Sequence, residues 1–208
     1  MKNIEVKICG LTNGDDALAA LEYGADYLGF VFYPKSARFV TPVKVVRILD
    51  SIKSAVKAVG VFVDMDRTDV EVIAGDCGLS AIQLCGAEKT EEFADIPFPI
   101  WRALKVGPAS VEPLLESWAP ARYLIDAAAP GMHGGTGLTA DWQRAAEIAK
   151  NFPAMLAGGL TPDNVADAIA TVNPVGVDVS SGVESSPGRK DLAKLKCFIS
   201  SAKACLPH

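Results

Sequence analysis

The 208-residue chain contains only two histidines, His133 and His208, and its five cysteines (Cys9, Cys77, Cys85, Cys197 and Cys205) include no C-x-x-C pair. An odd set of cysteines without a nearby histidine pair argues against a disulfide framework and against any metal site. No apolar run approaches the roughly 20 residues that a membrane-spanning helix needs, and Met1-Lys2-Asn3-Ile4-Glu5 lacks the apolar stretch of a signal peptide. A cytoplasmic protein without a membrane partner is expected. The 20 basic residues are outnumbered by 25 acidic ones and form no block, which argues against a nucleic-acid partner, whose phosphates would have to be neutralised. Any anionic ligand must therefore be held locally.

What the chain does have is alternation. Short β-branched runs, at Val6 to Cys9, Tyr27 to Phe32, Ala58 to Val63, Ala81 to Leu84, Ile100 to Leu104, Arg122 to Asp126, Ala154 to Ala157 and Gly176 to Val179, are each followed by a stretch expected to be helical. Asp15 to Tyr23 has acids in its first turn and Gly24 just past its end, as the helix dipole and a left-handed cap favour. Thr41-Pro42 and Thr161-Pro162 are expected to open two later helices, threonine as N-cap and proline at the first helical position. Near-continuous apolar strands alternating with helices imply a parallel sheet covered by helices. Eight units share 208 residues, 26 each, against roughly 24 for a short strand, a helix and two loops. The expected fold is thus α/β, a compact (β/α)8 TIM barrel of eight parallel strands forming a single domain over residues 1–208. Spare length falls after the second and sixth strands, on the face where such barrels build active sites.

Several residues on that face carry chemistry. Gly158-Gly159 after the seventh strand and Ser180-Ser181-Gly182 after the eighth can converge their backbone N–H groups on an anion, which suggests a phosphate site. Gly135 to Ala140 spells G-x-G-x-x-A, but it lies well beyond its strand and no acidic residue ends the next strand, so a dinucleotide site is not expected. A substrate-closing loop around Gly134 and Gly135 is expected instead, with Thr139 capping a helix that starts near Asp141. Lys7 and Cys9 share a strand face, and a cation near a thiol lowers its pKa toward a usable base or nucleophile. Asp126 ends the sixth strand, where partial burial would let it donate a proton near neutrality. Asp178 points opposite to Val177 and Val179 and needs a partner inside the barrel. Arg38, in an otherwise uncharged stretch, is suited to clamp a carboxylate.

Taken in order, Lys7-Ile8-Cys9-Gly10-Leu11-Thr12, Gly29-Phe30-Val31-Phe32-Tyr33-Pro34-Lys35-Ser36 with Arg38, Ile82-Gln83-Leu84, Gly134-Gly135-Thr136-Gly137, Ala157-Gly158-Gly159-Leu160 and Val177-Asp178-Val179-Ser180-Ser181-Gly182-Val183-Glu184 resemble the phosphoribosylanthranilate isomerase family of tryptophan biosynthesis. The resemblance implies an Amadori rearrangement of N-(5'-phosphoribosyl)anthranilate to 1-(2-carboxyphenylamino)-1-deoxyribulose 5-phosphate, without a cofactor, by a monomer or a homodimer. It further implies that Cys9 is the general base, Asp126 the general acid, Arg38 the residue facing the anthranilate carboxylate, and Gly158, Gly159, Ser180, Ser181 and Gly182 the phosphate site, with Asp178 supporting. Two places depart from the family: Cys85 stands where it usually has histidine, and Leu138 and Ala140 where a polar or basic residue and an aromatic are common. A phosphosugar isomerase of histidine biosynthesis shares the scaffold, but such enzymes typically use paired aspartates, which Cys9 disfavours. A non-catalytic barrel holding a phosphorylated metabolite would not require both Cys9 and Asp126.

Overall fold

The computed structural model describes residues 4–52, 55–106, 111–126 and 139–205. Eight parallel strands form the barrel wall: β1 (Glu5–Ile8), β2 (Tyr27–Val31), β3 (Ala58–Phe62), β4 (Ala81–Leu84), β5 (Ile100–Val106), β7 (Arg122–Asp126), β8 (Ala154–Ala157) and β9 (Gly176–Val179). Each pairs with its neighbours, β9 pairs with β1, and the β4–β5 pairing completes the closed ring. The two-residue strand β6 (Val111–Glu112) turns back antiparallel on β5.

The helices follow their local signals, with instructive exceptions. α1 (Gly14–Glu22) is capped by Asn13, whose side chain accepts from the Asp16 N–H, and Gly24 adopts φ +104° beyond its end. α2 (Pro42–Ser51) opens on Thr41 and Pro42 as expected. At Thr161-Pro162 the expectation is off by three residues. α6 (Val165–Val172) begins after Asn164, whose side chain accepts from the Thr161 N–H and donates to the Gly159 carbonyl, so threonine and proline form the turn leading in. α6 turns Val165, Ala168, Ile169 and Val172 onto the sheet, the i, i+3, i+4, i+7 spacing of one helical face. α3 (Arg67–Asp76), α5 (Thr139–Asn151) and α7 (Leu192–Ala204) complete the long helices. α5 starts at Thr139, two residues before the expected start.

After β4 the helix α4 (Thr90–Phe93) is a single turn, and after β5 the described residues hold only β6 and a 3-10 turn at Leu115–Ser117. Pro97, Pro99, Pro113 and Pro120 crowd this part of the chain, and proline cannot continue a helix interior. The expectation of a helix after every strand therefore fails here.

Alternation along the strands sorts side chains into two cores. Val6, Ile8, Leu28, Phe30, Ile82 and Ile125 pack outward against the helices. Tyr27, Val59, Ala81, Trp101, Leu124, Met155 and Ala157 fill the barrel interior, and a smaller inner cluster joins Cys9, Val31 and Val61. Among the described residues no helix is long and apolar enough to cross a membrane.

Candidate active site

Parallel pairing sets Lys7 of β1 directly opposite Asp178 of β9, both pointing into the barrel. The Lys7 ammonium donates to Asp178 Oδ1 at 3.0 Å and to Gln83 Oε1 at 2.9 Å, and its side chain is fully buried. Burial alone would lower the Lys7 pKa, but the Asp178 carboxylate and the Cys9 sulfur hold it above the ordinary lysine value. Asp178 thus has the partner its position demands. Gln83 also donates from Nε2 to Cys85 Sγ at 3.2 Å, so its amide is fixed at both ends. Burial pushes the Cys85 thiol up to about 12, which keeps it neutral.

Cys9 follows the last residue of β1 and is 8% exposed. Space for its sulfur comes from Gly29 on the adjacent strand, where an added Cβ would lie 2.9 Å from Sγ and 3.1 Å from Lys7 Cε. The expectation of a depressed thiol is not met. Burial raises the Cys9 pKa and Asp178 adds to the rise, while Lys7 and Lys190 pull it down without prevailing. A buried thiol loses more by desolvation of its anion than two lysines, one already paired with Asp178 and the other with Glu184, give back.

The Arg38 side chain is not free to clamp a ligand with its whole fork. Nε and Nη2 donate to the two carboxylate oxygens of Glu184 at 2.8 and 2.6 Å, which leaves Nη1 for another acceptor. Glu184 is also engaged by Lys190, whose ammonium lies 3.1 Å from Oε1, the oxygen that Arg38 Nε reaches. Burial would raise the Glu184 pKa, but Arg38 and Lys190 together hold it below the usual carboxylate range. The Lys190 ammonium also donates to the Cys9 carbonyl at 2.7 Å and the Ser180 carbonyl at 3.1 Å. Glu184, Lys190 and Gln83 were not singled out in the sequence. Arg38 in an uncharged stretch demanded a counter-charge, which Glu184 supplies, whereas Lys190 and Gln83 carried no such signal.

The two late loops approach each other closely. Gly158 and Gly159 adopt φ +89° and +64°, and an added Cβ on Gly182 would lie 1.8 Å from the Leu160 carbonyl oxygen. Ser180 presents a buried hydroxyl without a hydrogen-bond partner among the described residues. Both loops line a cavity of about 1420 Å³ at the C-terminal mouth, together with Asp126, Asp178 and Arg144. Cys9 and Arg38 are not part of that lining, although Gly10 ties them to it: at φ +74°, an added Cβ there would lie 2.5 Å from Arg38 Cδ and 2.8 Å from Ser180 Oγ. Asp126 is exposed, contrary to the expectation of partial burial. It is the last residue of β7, and its side chain reaches the open mouth above the packed interior. The closing loop expected at Gly134 and Gly135, and the departures at Leu138 and Ala140, lie outside the residues whose side chains are described.

A family model described as N-(5'phosphoribosyl)anthranilate (PRA) isomerase matches residues 6–201. The N-(5'-phosphoribosyl)anthranilate isomerase of Geotalea uraniireducens is 46% identical over 199 residues, covering 96% of this chain and 98% of the relative. Among solved structures, a phosphoribosyl anthranilate isomerase in complex with reduced 1-(o-carboxyphenylamino)-1-deoxyribulose 5-phosphate has a TM-score of 0.80 and 36% identity, covering 96% and 98% of the two chains. Monomers generated from the dimeric enzyme of Thermotoga maritima give a TM-score of 0.81 and 37% identity over the same shares. With matches running from β1 into α7 and over nearly the full length of each relative, this chain belongs to the N-(5'-phosphoribosyl)anthranilate isomerase family and is an isomerase of tryptophan biosynthesis.

Proposed function

We propose that Cys9 and Asp126 carry the two proton transfers of the Amadori rearrangement of N-(5'-phosphoribosyl)anthranilate, within a site formed by Arg38, Asp178 and the loops at Gly158-Gly159 and Ser180-Ser181-Gly182. The observation that supports this most is the convergence around Gly10, the residue after Cys9, where the Arg38 side-chain stem and the Ser180 hydroxyl meet within the reach of one added carbon. Such a meeting fits a substrate with an acid-labile sugar carbon between a carboxylate and a phosphate.

In this reading Asp126 delivers a proton to the furanose ring oxygen, the C1'–O bond breaks, and the nitrogen lone pair forms an iminium. The iminium acidifies C2'–H, Cys9 as thiolate removes that proton, and the resulting enolamine tautomerises to the ketone. Asp126 is exposed, so water must be excluded from it by the bound substrate. Cys9 rests as a thiol, and Lys7 and Lys190 favour the small thiolate fraction that serves as base. The phosphate would sit against the two glycine-bearing loops, where backbone N–H groups bind an anion without a basic patch. The reading takes residues 1–208 as one domain working in the cytoplasm without a cofactor, as a monomer or a homodimer.

Freshly prepared phosphoribosylanthranilate is fluorescent, and its decay on addition of protein reports the reaction. The unmodified protein should speed the decay, while Cys9→Ser and Asp126→Asn should each slow turnover by roughly 10²- to 10⁴-fold. Normal turnover by Cys9→Ser would remove the base assignment, and normal turnover by Asp126→Asn the acid assignment.

A further inference from the structure

Arg38 presents a difficulty as a carboxylate receptor. Its bidentate partner Glu184 carries one negative charge, and an Arg–Glu pair taken alone is neutral, with no net attraction for an anion. We propose that Lys190 is a positioning and charge-restoring residue for the substrate's carboxylate: it shares Glu184 Oε1 with Arg38, so that the Arg38–Glu184–Lys190 triad keeps one net positive charge at the mouth of the barrel. The inference rests on the reading of Arg38 as the carboxylate-facing residue.

Geometry supplies the argument. The Lys190 Nζ has three acceptors, Glu184 Oε1 at 3.1 Å, the Cys9 carbonyl at 2.7 Å and the Ser180 carbonyl at 3.1 Å. Only the protonated ammonium has three hydrogens to give, so these acceptors favour the charged form, while burial pulls the Lys190 pKa below the ordinary lysine value. Its side chain is fully buried, and Lys190 N–H is anchored by Asp16 Oδ2 at 2.9 Å, which leaves the ammonium one place to be. Arg38, by contrast, is 26% exposed and faces outward with Nη1 unspent. The buried lysine therefore offsets the carboxylate that orients the arginine, and the arginine's own charge remains available to the ligand. The same ammonium ties the carbonyl of Cys9 to that of Ser180, so the end of β1 and the phosphate-side loop keep a fixed spacing. A buried triad is costly to assemble, and breaking it leaves an uncompensated charge.

The test compares two ligands by calorimetry: the reduced product analogue with its ring carboxylate, and the same molecule without it. In Lys190→Met the carboxylate-bearing ligand should lose roughly tenfold more affinity than the ligand lacking the carboxylate, whose own loss reads the cost of the broken tie between Cys9 and Ser180. In the double variant Lys190→Met/Glu184→Gln, which again leaves one net positive charge on Arg38, the preference for the carboxylate should return to within about threefold. Equal weakening of both ligands, or no recovery in the double variant, overturns the proposal in favour of a purely structural lysine. Should Lys190→Met fail to fold, Lys190→Gln, whose amide can still donate to Glu184 while the charge is gone, decides by the same ratio between the two ligands. Binding of neither ligand to the unmodified protein would instead sink the reading of the site itself.

Discussion

The two ends of the barrel use polar groups in opposite ways. At the N-terminal end Arg122 meets Glu5 at 2.5 Å and lies over the rings of Tyr27 and Trp101, at 5.7 and 5.4 Å, while those rings meet edge to face at 4.9 Å. The cation there is matched by one carboxylate and two aromatic faces, and the arrangement forms a plug. At the C-terminal end Lys7, Asp178, Gln83, Arg38, Glu184 and Lys190 are also paired, but a hydroxyl at Ser180, the Nη1 of Arg38 and the cavity wall remain available. Saturating one end and leaving the other with unspent donors separates stability from chemistry along a single set of strands.

That separation can be broken in order of effect. Trp101→Ala removes a fully packed ring from the plug and should cost about 3–5 kcal/mol in urea unfolding, with turnover per folded molecule unchanged. A matching loss of turnover would show the two ends to be coupled. Gly29→Ala does the reverse. Its methyl would lie within 3 Å of Cys9 Sγ, so it should displace the sulfur and lower kcat by roughly a hundredfold, because a base misplaced by about 1 Å costs that much. The urea midpoint reads how far the same strain reaches the scaffold.

A third effect concerns pH. Burial raises the folded-state Cys9 pKa, and the base form is the thiolate, so kcat/KM should still be climbing, up to about tenfold per pH unit, as pH passes the ordinary thiol value of about 8.5. The stability linked to Cys9 has the opposite sign. It is fully present below the ordinary thiol pKa and is lost as pH rises through the folded value, so activity increases where the fold weakens. A plateau already reached by pH 7 would mean that the two lysines dominate the thiol. The smallest effect belongs to the partly exposed Arg122–Glu5 pair: Arg122→Gln should change stability by under about 1 kcal/mol, less in high salt.

Several features were legible along the chain because they are local. All eight barrel strands fall where apolar runs placed them, and the acids in the first turn of α1, Gly24 beyond its end and the cap at Thr41-Pro42 lie within one turn of the helix they serve. Period two put Lys7 and Cys9 on one face and Asp178 opposite its valines. The absence of a helix after β5 among the described residues was not legible, since apolar content there serves β6 and a 3-10 turn between prolines. The burial of Asp126 was misread because strand spacing gives a side chain's face but not its height in the barrel.

The sequence by itself determined the eightfold alternation, which residues share a face at Lys7-Cys9 and around Asp178, and the family, since these depend on period, composition and ordered motifs. Only the tertiary structure decided which charges meet. Lys7 finds Asp178 across 171 positions, and Arg38 finds Glu184 across 146, because ring closure makes β9 the neighbour of β1. It also decided that Cys9 is a raised thiol. Desolvation is a property of everything packed around a group, and one lysine two residues away could not reveal that both cations near the sulfur were already committed to carboxylates.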